Sequence, residues 1–212
     1  MVRVLIALTI IGVIAAITVP VLNQNTQEKE LNAGLKKAYS MLKQGESAYY
    51  ADTNERLTLS DWKAANTFSP MLQKYFNVLK DCGRIAGSTN SNSNSKCMNG
   101  YIEFSQIYKT YNGGSISAAL FDDGGFILND GMEVFIENTG GNVYISVDVN
   151  GHSKKPNRLG RDLFMFQLTE DNGIVPMGAQ GTAYYDENDA YCSNTSTNSM
   201  NGAGCTYKAL QK

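Results

Sequence analysis

The stretch Val4–Val19, VLIALTIIGVIAAITV, constrains what this chain can fold into more than any other. It is sixteen residues without a charge, and Pro20, Val21 and Leu22 extend it to nineteen. The only charge ahead of it is Arg3. An α-helix rises ~1.5 Å per residue and a bilayer core is ~30 Å thick, so about 20 apolar residues suffice to cross one. Three readings compete. A cleaved secretory signal has a basic start, an apolar run and a small-residue cleavage site. Arg3 and the run agree with that, but Ala15 and Ala16 lie inside the run and not after it. A buried core helix would be shorter or would show a polar face. A retained membrane helix meets neither objection.

The residues downstream favour the retained helix. Leu31, Leu35, Ala38, Leu42 and Tyr49 follow at gaps of 4, 3, 4 and 7, the spacing of one helix face. Glu28, Glu30, Lys36, Lys37 and Lys43 fill the other faces. The pattern predicts one helix from about Val4 to about Tyr50, apolar all round in its first half and amphipathic in its second. A cleaved signal has no reason to share a helix with the mature domain. The chain then divides into a transmembrane half-helix, 1–22, and an extracytoplasmic globular domain, 23–212, which includes the amphipathic half 23–50.

With 212 residues, one anchored domain is the natural count. Lys and Arg number 18 against 20 Asp and Glu, a net charge of −2. That balance gives no electrostatic case for nucleic acid or for an acidic partner. The four cysteines, Cys82, Cys97, Cys192 and Cys205, form two local pairs, each closing a loop of about fifteen residues. There is no CxxC spacing and no His cluster, which argues against zinc. The expected pairs are disulfides Cys82–Cys97 and Cys192–Cys205; the alternative is free buried thiols. Arg3 ahead of the span favours a cytoplasmic N-terminus, which puts the domain outside, where disulfides form.

After the helix, Ser60 is placed to cap a short helix SDWKAANTF. Ser69 and Pro70 mark a second helix start, as N-cap and first helical residue, with Leu72, Tyr75, Phe76 and Leu79 as its apolar face. Trp62 reads as a core anchor in preference to a sugar-stacking platform. Residues 87–96, GSTNSNSNSK, have nothing to bury and read as an exposed loop tied at its base by Cys82 and Cys97. From Tyr101 the pattern turns to short β runs: Ser115–Phe121, Phe126–Leu128, Met132–Ile136 and Val143–Val149. Asp-Gly, Gly-Gly and Asn-Gly punctuation separates them, as in an antiparallel meander. Phe164, Phe166 and Leu168 alternate as the inner face of a further strand. A last edge strand is expected at Thr206–Leu210.

The run IIGVIAAITVP with its amphipathic continuation LKKAYSML resembles the type IV pilins and the pseudopilins of type II secretion, over residues 2–50. Pro20 falls where that family has a helix-kinking proline, and Gly12 in the small-residue part of the helix. A second resemblance runs from Val147-Asp148-Val149-Asn150-Gly151 through Pro156-Asn157, Gly160-Arg161-Asp162, Phe164 and Phe166 to Gly173, Pro176 and Gly178. There Lys155 stands where the family has glycine. The polar tail from Ala183 is similar to the disulfide-closed C-terminal loop of pilins. The family's early glutamate, which pairs with a neighbouring subunit's N-terminal amine, is Arg3 here, and that turns attraction into repulsion. The family's short basic leader ending in glycine is not seen, so the true start of the chain is open.

The resemblance to pseudopilins, some of which bind calcium, allows a calcium reading of Asp148, Asn150 and Asp162, because hard cations take oxygen ligands. The EF-hand spacing fails. The competing reading is that Asp162 pairs with Arg158 or Arg161 and caps backbone amides. Lys154, Lys155, Arg158 and Arg161 form a small basic cluster, read as a solvated loop. His152 is the only histidine, no catalytic motif is found, and Asp122, Asp123 and Asp130 occupy turn positions where Asp is expected without chemistry. The chain is expected to be an α+β, pilin-like protein: a long N-terminal helix packed on an antiparallel sheet with disulfide-closed loops. It would be a non-enzymatic filament subunit with no cofactor, anchored as a single pass in the bacterial inner membrane, its domain in the periplasm or on the cell surface. Its partners would be other pilin-like subunits, the membrane and an assembly machinery. The alternative is a membrane-tethered binding or adhesion module that does not polymerise.

Overall fold

The computed structural model of the chain describes residues 2–62, 64, 66–85, 96–98 and 100–212, the side chains of 2–25 and 139 excepted. One helix, α1 (Val2–Thr53), runs for 52 residues. The five positions that the spacing puts on one face, Leu31, Leu35, Ala38, Leu42 and Tyr49, are all buried. That face lies on a six-stranded sheet made of β1 (Val78–Asp81), β2 (Gly124–Leu128), β3 (Glu133–Thr139), β4 (Asn142–Asp148), β5 (Leu163–Thr169) and β6 (Gly173–Pro176). The strands lie side by side in chain order, every pair antiparallel. The β3–β4 hairpin turns at Gly140 and Gly141, both at positive φ (63° and 78°). A two-residue turn of this hand matches strand twist and needs glycine or asparagine.

The sheet is buried on both faces, which accounts for the imperfect alternation of apolar residues along its strands. On the inner face Val134, Ile136, Val143, Ile145, Val147, Phe164, Phe166 and Leu168 pack against Leu35, Ala38, Leu42 and Tyr49. Tyr39 stacks on Phe166 with ring centroids 5.9 Å apart. On the outer face Phe135, Tyr144, Leu163 and Met165 join Phe104, Tyr108, Phe121, Met177 and Met200 in a second core. The long β1–β2 connection and the C-terminal loops supply that layer. Each is closed by a disulfide, Cys82–Cys97 and Cys192–Cys205, as the spacing predicts.

Several local expectations change. Tyr101 does not open a strand: Gly100–Ile107 is a helix, α3. Gly100, Phe104 and Tyr108, four residues apart, are buried along one side of it, and that helical spacing outweighs the β-prone Tyr, Ile and Phe content. Ser115–Phe121 contains a single 3-10 turn at Ala118–Leu120, which delivers Phe121 to the outer core. The edge strand expected at Thr206–Leu210 is a helix, α4 (Cys205–Leu210). β6 already occupies the β5 edge; beyond its last pair, Phe166 with Pro176, the Met165 amide donates to the Thr206 hydroxyl at 3.0 Å. The second short helix, α2 (Phe68–Leu72), starts at Phe68 with Thr67 as N-cap, not at Pro70 with Ser69 as cap. Leu79 is not on its face but on β1, 66% exposed. Ser60 opens only a 3-10 turn, Ser60–Trp62. Most of the loop expected at 87–96 lies outside the described residues.

Candidate functional site

The candidate functional features of the domain are the seat of α1 and two polar clusters at opposite ends of the outer sheet face. The seat is built by residues spaced three and four apart. Leu35, Ala38 and Leu42 are fully buried against the inner face. Gly45 faces Phe76, where an added Cβ would lie 2.7 Å from the ring edge. Lys37 reaches Asp130 at 2.8 Å, tying the helix to the β2–β3 turn. Trp62 packs edge-on against Tyr49 and Phe68 and lies half-buried against the inner core. The backbone of α1 is helical through Arg3, Gly12 and Pro20, whose side chains fall outside the described ones. Among the described residues no helix is long and apolar enough to cross a membrane. The side chains of the run Val4–Leu22 lie outside the described ones.

The first polar cluster gathers the motif residues. Asp162 is fully buried. One of its carboxylate oxygens accepts the Asn157 amide at 2.6 Å, and the other accepts the Arg158 and Leu163 amides at 2.6 and 3.0 Å. The PNRLGRD loop is folded round this carboxylate. Gly160 sits at φ 79° with no room for a Cβ, which would come 2.6 Å from the Gly202 carbonyl. The Arg158 and Arg161 side chains turn away to the Tyr111 carbonyl, and the Arg161 guanidinium stacks 4.5 Å over the Tyr111 ring. So Asp162 caps amides, and the expected ion pair with either arginine is absent among the described residues.

Asp148 is also fully buried. It accepts the Tyr108 hydroxyl at 2.7 Å and the Asn150 and Gly151 amides at 3.1 and 2.9 Å. Burial, with repulsion from Asp162 and Glu133, pushes its carboxyl up to about 7. Its register partner Glu133 bonds the His152 ring at 2.5 Å. The oxygens of the proposed calcium set are thus largely taken by N–H and O–H donors, Asn150 Oδ1 alone being buried without a partner. Among the described residues no group of three or more His, Cys, Asp or Glu is placed to hold a metal ion. Asp148 and Asp162 organise the turns of the β4–β5 connection through backbone amides.

The second cluster escapes sequence reasoning. Asp122 and Asp123, which read as turn carboxylates, are buried beside Glu137 of β3. Tyr101 of α3 donates to Asp122 at 2.8 Å, and Arg84 pairs with Asp123 at 2.9 Å. Asp122 and Glu137 hydrogen-bond each other, so the pair holds a proton. Burial first, then repulsion from Asp123 and Asp122, pushes Glu137 up to about 8. Burial and the Asp122 bond raise Tyr101 to about 12. The available signal was Glu137 at an outward position of a strand whose outer neighbour, Phe135, is apolar. It becomes informative only once the outer face is known to be covered.

No family model, no curated protein and no solved structure matches this chain.

Proposed function

We propose that this chain is a structural subunit of a type IV pilus or of a type II secretion pseudopilus-like filament. The observation that carries the reading is the division of α1. Its second half is seated on the domain by Leu35, Ala38 and Leu42, while the same helix continues into the apolar run Val4–Leu22. In this reading the run holds the subunit in the inner membrane as a single pass. On assembly it leaves lipid and packs among the helices of other subunits, so apolar neighbours replace apolar lipid. The disulfide-closed layers would face outward. Arg3 favours a second reading, a tethered adhesion module that does not polymerise, because a cation near a neighbour's N-terminal amine repels it.

Immunogold electron microscopy with antibody to residues 51–212 separates the two. Label along thin filaments in the sheared surface fraction is the expected result. Label confined to the envelope, with no filament in the sheared fraction, would overturn the surface pilus and leave the tethered module or a short periplasmic pseudopilus.

A further inference from the structure

Where α1 leaves the domain, the loop 151–156 lies beside it. The Gln27 side-chain amide donates to the Lys155 carbonyl at 2.9 Å. Gln27, Glu30 and Leu31 share a cleft of about 490 Å³ with Ser153, Lys154 and Lys155. Gln27 is five residues beyond Leu22, a rise of about 7.5 Å along a helix. That is the depth of a headgroup layer, ~5–8 Å on each side of the hydrocarbon core. The charges at this neck are unequally satisfied. Of the acids lining the cleft, Asp130 is paired with Lys37, Glu133 is buried and hydrogen-bonded to His152, and Glu30 is exposed. Lys154 and Lys155 are exposed and enter no ion pair among the described residues. Lys29 is exposed on the adjoining turn of α1, between the exposed Glu28 and Glu30.

We propose that Lys154 and Lys155 form a docking point for anionic phospholipid headgroups, which holds the domain against the membrane before assembly. The inference rests on the membrane reading of α1. A cation at an anionic surface gains roughly 1 kcal/mol, about a five-fold change in docked population per lysine. The loop suits this role because its backbone is fixed to α1 at Lys155 while its side chains remain free. The Glu28 and Glu30 carboxylates lower the gain; they do not cancel it, since the exposed cations Lys29, Lys154 and Lys155 outnumber them by one.

The test uses the full chain in vesicles of phosphatidylcholine alone or with phosphatidylglycerol. Flotation reads anchoring. Acetylation rates of Lys154 and Lys155 by a water-soluble reagent, relative to exposed Lys74, read docking. The expected result is flotation with both vesicles and acetylation of Lys154 and Lys155 slowed about five-fold or more by the anionic lipid alone. High salt, which shortens screening to a few ångströms, should abolish the slowing. Lys155→Glu, a change at an exposed side chain, should return Lys154 to its phosphatidylcholine rate. Flotation with equal rates in both vesicles overturns docking and leaves the anchor standing. Failure to float with either overturns the anchor and docking with it. Slowing that tracks protein density and not lipid charge assigns the contact to a second copy and overturns the lipid proposal.

Discussion

The buried Asp122–Glu137 pair makes stability fall as pH rises, and the size of the fall follows from the fold. Glu137 titrates near 8 when folded, against an ordinary 4.5. Between those values the native chain holds a proton that the unfolded chain has released, so raising pH favours unfolding. Each pH unit in that window is worth ~1.4 kcal/mol. About 3 kcal/mol of stability present at pH 4.5 is therefore gone at pH 7, and the loss ends near pH 8. Asp148, near 7 when folded against 3.8, adds a loss of the same sign. Urea unfolding followed by the fluorescence of Trp62, packed between Tyr49 and Phe68, measures the effect at a series of pH values. Glu137→Gln keeps the volume and a donor to Asp122 but cannot ionise. Its stability should decline less with pH than the parent's by about 3 kcal/mol between pH 4.5 and 7. Equal slopes in parent and variant would refute the shared-proton account.

Three further perturbations test the seat, the loop and the N-terminal end of α1. Leu42→Ala, at a fully buried site on α1, should cost about 2–5 kcal/mol and lower the calorimetric melting temperature by ~2–4 °C per kcal/mol; an unchanged melting temperature would rule out the packing of α1 on the sheet. Asp162→Asn replaces an acceptor of three amides with a side chain bearing one oxygen, and should cost about 1–3 kcal/mol, with faster amide exchange at Asn157 and Arg158 as the local readout. Arg3→Glu should raise the share of chain recovered in sheared filaments if the repulsion argued for Arg3 limits assembly, and an unchanged share would remove that argument.

The sequence carries the inner half of this fold and hides the outer half, for one physical reason. The face of α1 and the alternation Phe164, Phe166, Leu168 are periodic because each has one buried side against one partner layer. The disulfide pairs are local and legible from spacing. The outer layer is built by irregular segments, whose buried residues follow no fixed period. Gly100, Phe104 and Tyr108 are a short helix face inside a β-prone stretch. Ile116 and Phe121 are buried on either side of a 3-10 turn. Asp122 and Asp123 are adjacent and Glu137 lies fourteen residues further on, each ordinary singly; they become a cluster only when β2 and β3 pair and α3 closes over them. Lys154 and Lys155 are visible as part of a basic cluster with Arg158 and Arg161, but their place beside the α1 neck is not.

That division also links the disulfides to the titration. The outer layer is held to the sheet by few strand hydrogen bonds, so it depends on its apolar contacts and on the two loop closures. A closure of this length contributes ~3 kcal/mol by restricting the unfolded chain. Cys82 lies one residue from Gly83-Arg84, and Arg84 pairs with Asp123; the Cys82 amide bonds the Gly125 carbonyl at 2.8 Å. Opening Cys82–Cys97 therefore loosens the lid over the carboxyl pair, whereas opening Cys192–Cys205 acts first at α4 and the tail. Once water reaches Glu137, the burial that raises its pKa is relieved and the carboxyl returns toward 4.5. A Cys82→Ala, Cys97→Ala variant should accordingly lose both stability and part of the Glu137-dependent slope between pH 4.5 and 7. The Cys192→Ala, Cys205→Ala variant should lose stability with that slope retained. If both variants keep the full slope, the burial of Glu137 does not depend on the Cys82–Cys97 closure, and the outer layer is held by packing alone.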